Sequence, residues 1–266
     1  MEIAYSAKPW INTIARIGLT AKGIVYSLIG ILAFMAAFEI AGQRNEESDR
    51  SGVFELVKDW PAGKPILALI ALGLICYAIW RGVQTFANYG TEEKKWTQKI
   101  RYLFSGITYL SIALSAISLL LYNSSDSGDQ NQYWAAELMS KPFGEWLLGL
   151  GALVVAAIGI YQVWYGLSEK YRKHVQGMRL HSSVSAYLLR SGKIGYVARG
   201  VVWLIISFLL LRSALHTNAK EAGGTGKAFQ FIESSTYGSF ILGALGLGLL
   251  AYGIFNFIRA RYERFG

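Results

Sequence analysis

Cysteine is almost missing from this chain. A single one, Cys76, in 266 residues excludes an intrachain disulfide and any CxxC redox or zinc site. Set among apolar neighbours, it reads as a small packing residue. Histidine is scarce too, with only His174, His181 and His216. The first two stand in a basic segment and read as interfacial residues, not as a metal pair. Catalytic signatures are missing as well: there is no HExxH and no GxSxG. The stretch GGTGKA at 223–228 fails as a P-loop, because Glu221 takes the place of its first glycine and Ala228 that of its Ser or Thr. The sequence therefore predicts neither an enzyme nor a bound cofactor. Charge is the last shortage. Only 16% of residues are charged, against about a quarter in soluble domains.

What is abundant is apolar surface: 53% of the residues are hydrophobic, 14% are aromatic, and the mean hydropathy is +0.32. Six runs are long and nearly free of charge: residues 23–41, 66–87, 102–122, 146–167, 196–215 and 239–258. A helix rises about 1.5 Å per residue, so about 20 residues cross a hydrocarbon core of about 30 Å. The chain is predicted to be an all-α integral membrane protein with six transmembrane helices. The fifth run is the shortest of purpose, since Arg199 and Arg212 bracket it and must snorkel for it to span. The one acid inside a run, Glu39, stands near its outer end, which counts against a proton-driven pump.

The six runs are three copies of one unit. Lys22-Gly23-Ile24-Val25-Tyr26 in the first run returns as Arg199-Gly200-Val201-Val202-Trp203 in the fifth and as Ser105-Gly106-Ile107-Thr108-Tyr109 in the third. The even runs share another phrase: Gly73, Tyr77, Trp80 and Arg81 match Gly248, Tyr252, Phe255 and Asn256, with Ala157, Tyr161, Trp164 and Tyr165 in the same slots of the fourth. Internal similarity of this kind marks repeat-built membrane bundles. One two-helix unit cannot bury its inner face alone, so three tandem hairpins, about residues 15–87, 100–167 and 193–260, are expected to form a single membrane domain over 1–266, a pseudo-threefold bundle. Because the first run carries the repeat, it is read as part of the fold and not as a signal peptide. Between the paired runs on the outer side lie short apolar patches, at residues 52–60, 133–139 and 227–232, expected as small amphipathic helices at the interface. The inner segment 170–193 is expected to lie on the other leaflet in the same way. The pairs Gly23/Ser27 and Ala244/Gly248, with Gly149, Gly151, Gly159, Gly243, Gly246 and Gly253, are expected to let helix backbones approach closely.

The basic-Gly-x-x-aromatic phrase on the first helix and the Gly-x-x-x-Tyr phrase on the second resemble the bacterial domain of unknown function 1206 family. The resemblance runs from about Ala15 to Arg259, and the middle copy departs most, with Ser105 where the base should be. It implies a triplicated two-helix membrane protein and carries no activity with it.

Charge sets the expected orientation. Eighteen of the 26 bases but only five of the 17 acids fall on the side that holds both termini. The positive-inside rule places that side in the cytoplasm of a bacterial inner membrane. The net charge of +9 is thereby explained as topology, with no nucleic-acid partner required. One constellation remains. Lys22, Arg81 and Arg199 are placed about a turn from the inner helix ends, followed toward the bilayer by Tyr26, Tyr109 and Trp203 from odd helices and Tyr77, Tyr161 and Tyr252 from even ones. Bases backed by hydroxyls suit a phosphate or carboxylate; the same residues also suit simple anchoring and an aromatic belt. Two functions are carried forward: a non-enzymatic interaction or scaffold protein that binds anionic membrane lipid at its cytoplasmic face, and a small channel or facilitator for an anionic solute. Protein partners are open, and the sequence permits a homo-oligomer without selecting one.

Overall fold

The computed structural model of the chain describes residues 9–38, 63–86, 96–122, 128–174 and 182–263. In chain order its α-helices are α1 (Pro9–Ala37), α2 (Gly63–Phe86), α3 (Trp96–Tyr122), α4 (Gly128–Met139), α5 (Gly144–Leu167), α6 (Ser182–Leu215), α7 (Thr225–Glu233) and α8 (Gly238–Tyr262). Among the described residues, six of these are long and apolar enough to cross a membrane: all but α4 and α7. The all-α architecture of three tandem hairpins, α1/α2, α3/α5 and α6/α8, is the one the repeat predicts.

Two helix starts differ from expectation. The first and fifth spans begin at Pro9 and Ser182, well upstream of residues 23 and 196. Hydropathy sees only the lipid-like part of a helix, whereas the backbone continues wherever nothing breaks it. The mixed stretches RIGLTAK (16–22) and RSGKIGYVAR (190–199) contain no proline and bury Leu19, Ala21 and Ala198, with Ala15 and Leu188 buried just before them. Among its described residues the segment 170–193 holds a 3₁₀ turn, Lys170–His174, and the start of α6, and no separate interfacial helix; residues 175–181 lie outside the described ones.

The spans pack in the order α3, α2, α1, α8, α6, α5, each against the next. The joints between hairpins are all made: α2 on α3, α1 on α8, and α5 on α6. Within hairpins, α1 packs on α2 and α6 on α8, but among the described residues α3 and α5 have no comparable contact with each other. Burial follows this order. In their most apolar stretches, α1 and α8 are 61% and 56% buried by the rest of the protein, α3 and α5 only 28% and 22%.

The open joint has a sequence cause. In the first hairpin a Cβ on Gly18 would stand 2.6 Å from the Cα of Tyr77, and one on Gly73 would stand 2.4 Å from the Cβ of Ala21. The third hairpin repeats both distances, Gly195 with Tyr252 and Gly248 with Ala198. These backbones meet only because hydrogen replaces a side chain. In the middle copy the repeat puts Arg101 at the Gly18/Gly195 position, Phe104 at Ala21/Ala198 and Ala157 at Gly73/Gly248. Three bulkier residues stand where the other hairpins close.

Of the expected close-packing pairs, Gly23 and Ser27 seat against Gly253, while Ala244 is exposed and does not share a contact with Gly248. Nothing lies within 4 Å of a Cβ on Gly151. The outer patches 133–139 and 227–232 are helical, as α4 and α7; the patch 52–60 lies outside the described residues. They differ in how they sit. α4 leaves Tyr133 and Trp134 exposed, whereas α7 turns Phe229 and Ile232 into the core.

Candidate functional site

The helix starts move the basic residues. Lys22 lies 13 residues into α1 and Arg199 17 residues into α6, not one turn from an end. Both are therefore interior to a span, and side-chain rotation decides their surroundings. Lys22 is 3% exposed. Its ammonium donates to the Tyr77 hydroxyl at 3.2 Å and lies 4.9, 5.0 and 5.1 Å from the ring centroids of Tyr77, Tyr109 and Tyr252. Four of the six spans thus meet at one ammonium. Arg199 repeats the pattern in the third hairpin: its Nη1 donates to the Tyr252 hydroxyl at 2.7 Å, and its guanidinium lies 5.2 Å from the rings of both Tyr26 and Tyr252. Tyr26 and Tyr109 join through their hydroxyls at 3.4 Å. Edge contacts of Tyr26 with Tyr252 and Tyr77 with Tyr109, 4.9 and 4.6 Å between centroids, lock the rings. Arg81 closes one side. Its Nε donates to the Tyr77 hydroxyl at 2.9 Å and its Nη1 to Gln84 at 2.7 Å, over the rings of Trp80 and Tyr102.

The charged side chains brought together here, Lys22, Arg81 and Arg199, are all cations. Lys22 and Arg199 share the Tyr252 ring, and Arg81 reaches the same Tyr77 hydroxyl as Lys22. Cation–π contacts and phenol oxygens stabilise such charges by about 0.5–2 kcal/mol each. An ion in a medium of low dielectric costs several kcal/mol beyond that unless a counter-charge is near. The buried Nε of Arg199 has no hydrogen-bond partner. An oxyanion would supply both the acceptor and the charge.

Seven of the nine residues singled out from sequence thus converge: Lys22, Tyr26, Tyr77, Arg81, Tyr109, Arg199 and Tyr252. Two do not. Tyr161 is 38% exposed and stacks on Trp164 and Tyr165 along the outside of α5. Trp203 is half-buried and lies outside the ring cluster. For Tyr161 the equivalence with Tyr77 and Tyr252 is lost because, among the described residues, α5 has no close partner in its own hairpin to turn it inward.

The structure also assembles residues that sequence reading passed over. Arg259 and Glu263, counted there only as inner-side charges, form a buried bidentate pair at 2.6 and 3.0 Å. Their i, i+4 spacing on one helix was the available signal. Tyr196 of α6 packs between Tyr165, Tyr171, Tyr252 and Phe255. Tyr171 donates to the carbonyl of Leu189 at 2.6 Å, and burial, with Glu169 nearby, pushes its phenol up to about 12. Lys227 of the GGTGKA stretch folds back to donate to the carbonyls of Lys220 and Ala222. Burial lowers its ammonium from the ordinary value, with Glu221 opposing. That lysine is a loop clasp, which agrees with the failure of the P-loop pattern. Among the described residues no cluster of His, Cys, Asp and Glu could hold a metal.

Known proteins give a family but no activity. The family described as Domain of Unknown Function (DUF1206) matches three times, at residues 17–88, 100–169 and 194–263, one match per hairpin. The uncharacterized protein YxxB of Bacillus subtilis (strain 168) is 29% identical over 265 residues, spanning 98% of this chain and 94% of its own length. No solved structure matches.

Proposed function

The chain belongs to the DUF1206 family, and from that premise we propose that this multi-pass membrane protein binds an anionic group, phosphate or carboxylate, at the cluster of Lys22, Arg199 and their tyrosines. It acts as a binding and interaction protein of the bacterial inner membrane, with both termini cytoplasmic, and not as an enzyme. The observation that carries this reading is the inward convergence of the cations. A topological anchor needs its bases to reach water or headgroups; Lys22 is instead held at 3% exposure against three rings, and the buried Nε of Arg199 lacks an acceptor. The same inward convergence favours, as a second reading, a facilitator for an anionic solute, since a conducting path would need these bases at its centre.

Native mass spectrometry of the protein extracted in mild detergent tests the binding reading. Wild type is expected to carry an anionic adduct that the Lys22→Gln/Arg199→Gln variant lacks, with both forms melting cooperatively. Equal adducts on both forms, or none on either, would overturn it. The mass of the adduct names its class, and a soluble anion sends the question to flux assays.

A further inference from the structure

The middle hairpin differs from its two siblings in three ways that meet at one place. Its helices α3 and α5 do not pack on each other among the described residues. Its sequence carries Arg101, Phe104 and Ala157 where the closed hairpins need Gly, Ala and Gly. And it withholds both site residues of the repeat: Ser105 replaces the base, and Tyr161 turns outward, whereas Tyr77 and Tyr252 are 0% and 1% exposed. The ring of spans is therefore interrupted at the one joint whose own hairpin gives the centre no cation. The other hairpins supply Lys22, Arg81 and Arg199, and Lys22 reaches a ring of α3. On α3 the boundary is Tyr109, whose ring lies 5.0 Å from the Lys22 ammonium. The surfaces that α3 and α5 leave uncovered are aliphatic, with Ile107, Leu110 and Leu114 on one and Leu150, Leu153 and Ile160 on the other.

Aliphatic faces on two helices that do not pack on each other, with a buried lysine and a half-buried arginine in the bundle behind Tyr109, are complementary to one kind of molecule, with acyl chains at one end and an anionic phosphate at the other. We propose that the α3/α5 joint is a lateral entry for an anionic phospholipid, whose phosphate pairs with Arg199 and Lys22 while its chains remain between the two helices. The proposal rests on the anion-binding reading above and names the ligand class. A soluble anion would need no break in the ring on the lipid side, and a zwitterionic lipid would bring its own cation to a site already cationic.

The test uses the full-length protein in phosphatidylcholine nanodiscs containing a trace of phosphatidylglycerol with a photoreactive acyl chain. Labelling is expected on α3 and α5, displaced by added phosphatidylglycerol and not by phosphatidylcholine. Arg199→Gln is expected to lower the displaceable labelling about tenfold, the size of a lost charge-assisted hydrogen bond. The variant Arg101→Gly/Phe104→Ala/Ala157→Gly, which gives the middle hairpin the small residues of the others, is expected to lose it with Lys22, Arg81 and Arg199 in place. Even, non-displaceable labelling of all spans would overturn the lateral entry. If Arg199-dependent binding of inorganic phosphate or glycerol 3-phosphate is then found, the anion-binding reading survives alone; if neither probe binds, both fall. Should the triple variant fail to fold, the position and lipid specificity of the wild-type label decide the matter.

Discussion

A lysine in the middle of a transmembrane helix is tolerated only where its surroundings replace water, and here aromatic rings do so. Lys22 meets three rings and a phenol oxygen, Arg199 two rings and a phenol oxygen. The repeat made these residues legible in the sequence, because duplicated slots carried a base followed four residues later by an aromatic. Their depth was not legible, since hydropathy placed the helix starts too late. Tyr161 was misplaced for a different reason: rotation about a helix axis is set by packing, and among the described residues α5 packs on α6 and not on the helix of its own hairpin. Arg259 and Glu263 show the opposite case, two charges that look like surface anchors and are buried against each other, with side chains 3% and 9% exposed. Removing one partner strands the other charge. Arg259→Ala is expected to cost about 3–5 kcal/mol, while Arg259→Met/Glu263→Leu recovers most of it. Thermal unfolding in detergent measures both, with Arg259→Met and Glu263→Leu alone completing the cycle; a double variant that loses as much as the two single variants added together would show that the pair carries no coupling.

Helices of this bundle are joined by what is missing from their faces. Gly18 and Gly73 in one hairpin, and Gly195 and Gly248 in another, remove the side chains that would hold backbones apart. Gly18→Leu or Gly195→Leu is expected to force α1 from α2, or α6 from α8, and to cost about 1–3 kcal/mol or more as overpacking. Gly151→Ala is the control. Its Cβ meets nothing within 4 Å, so the better helix former should be neutral or stabilise by up to about 1 kcal/mol. Melting temperatures of the three variants decide, and a Gly18 variant as stable as wild type would refute the close-approach argument. Element existence was largely readable from the apolar runs, and the helices α4 and α7 from their patches. What escaped the sequence was the open joint, even though Ser105 flagged the middle copy as divergent. Its cause sits in Arg101, Phe104 and Ala157, which become conspicuous only once the contacts of Gly18, Ala21 and Gly73 are known.

For the molecule as a whole, six candidate spans and an uneven distribution of bases predict an orientation. A fluorescent protein fused after residue 266 is expected to fluoresce, and alkaline phosphatase inserted in the loop at 217–224 to be active, as a cytoplasmic C-terminus requires; the reverse pattern would invert the topology and place the chain's basic side outside. The packing order also bears on how the chain is made. The first span and the last are neighbours, and the third ring around Lys22, that of Tyr252, belongs to α8. A ribosome releases about 200 residues between the end of α1 and the start of α8, which takes about 10–40 s at about 5–20 residues per second. Throughout that interval the nascent chain holds an ammonium in the membrane with its coordination unfinished. Any product truncated before α8 lacks the Tyr252 ring that Lys22 and Arg199 share, so two cations in different hairpins lose a partner that only the finished chain supplies.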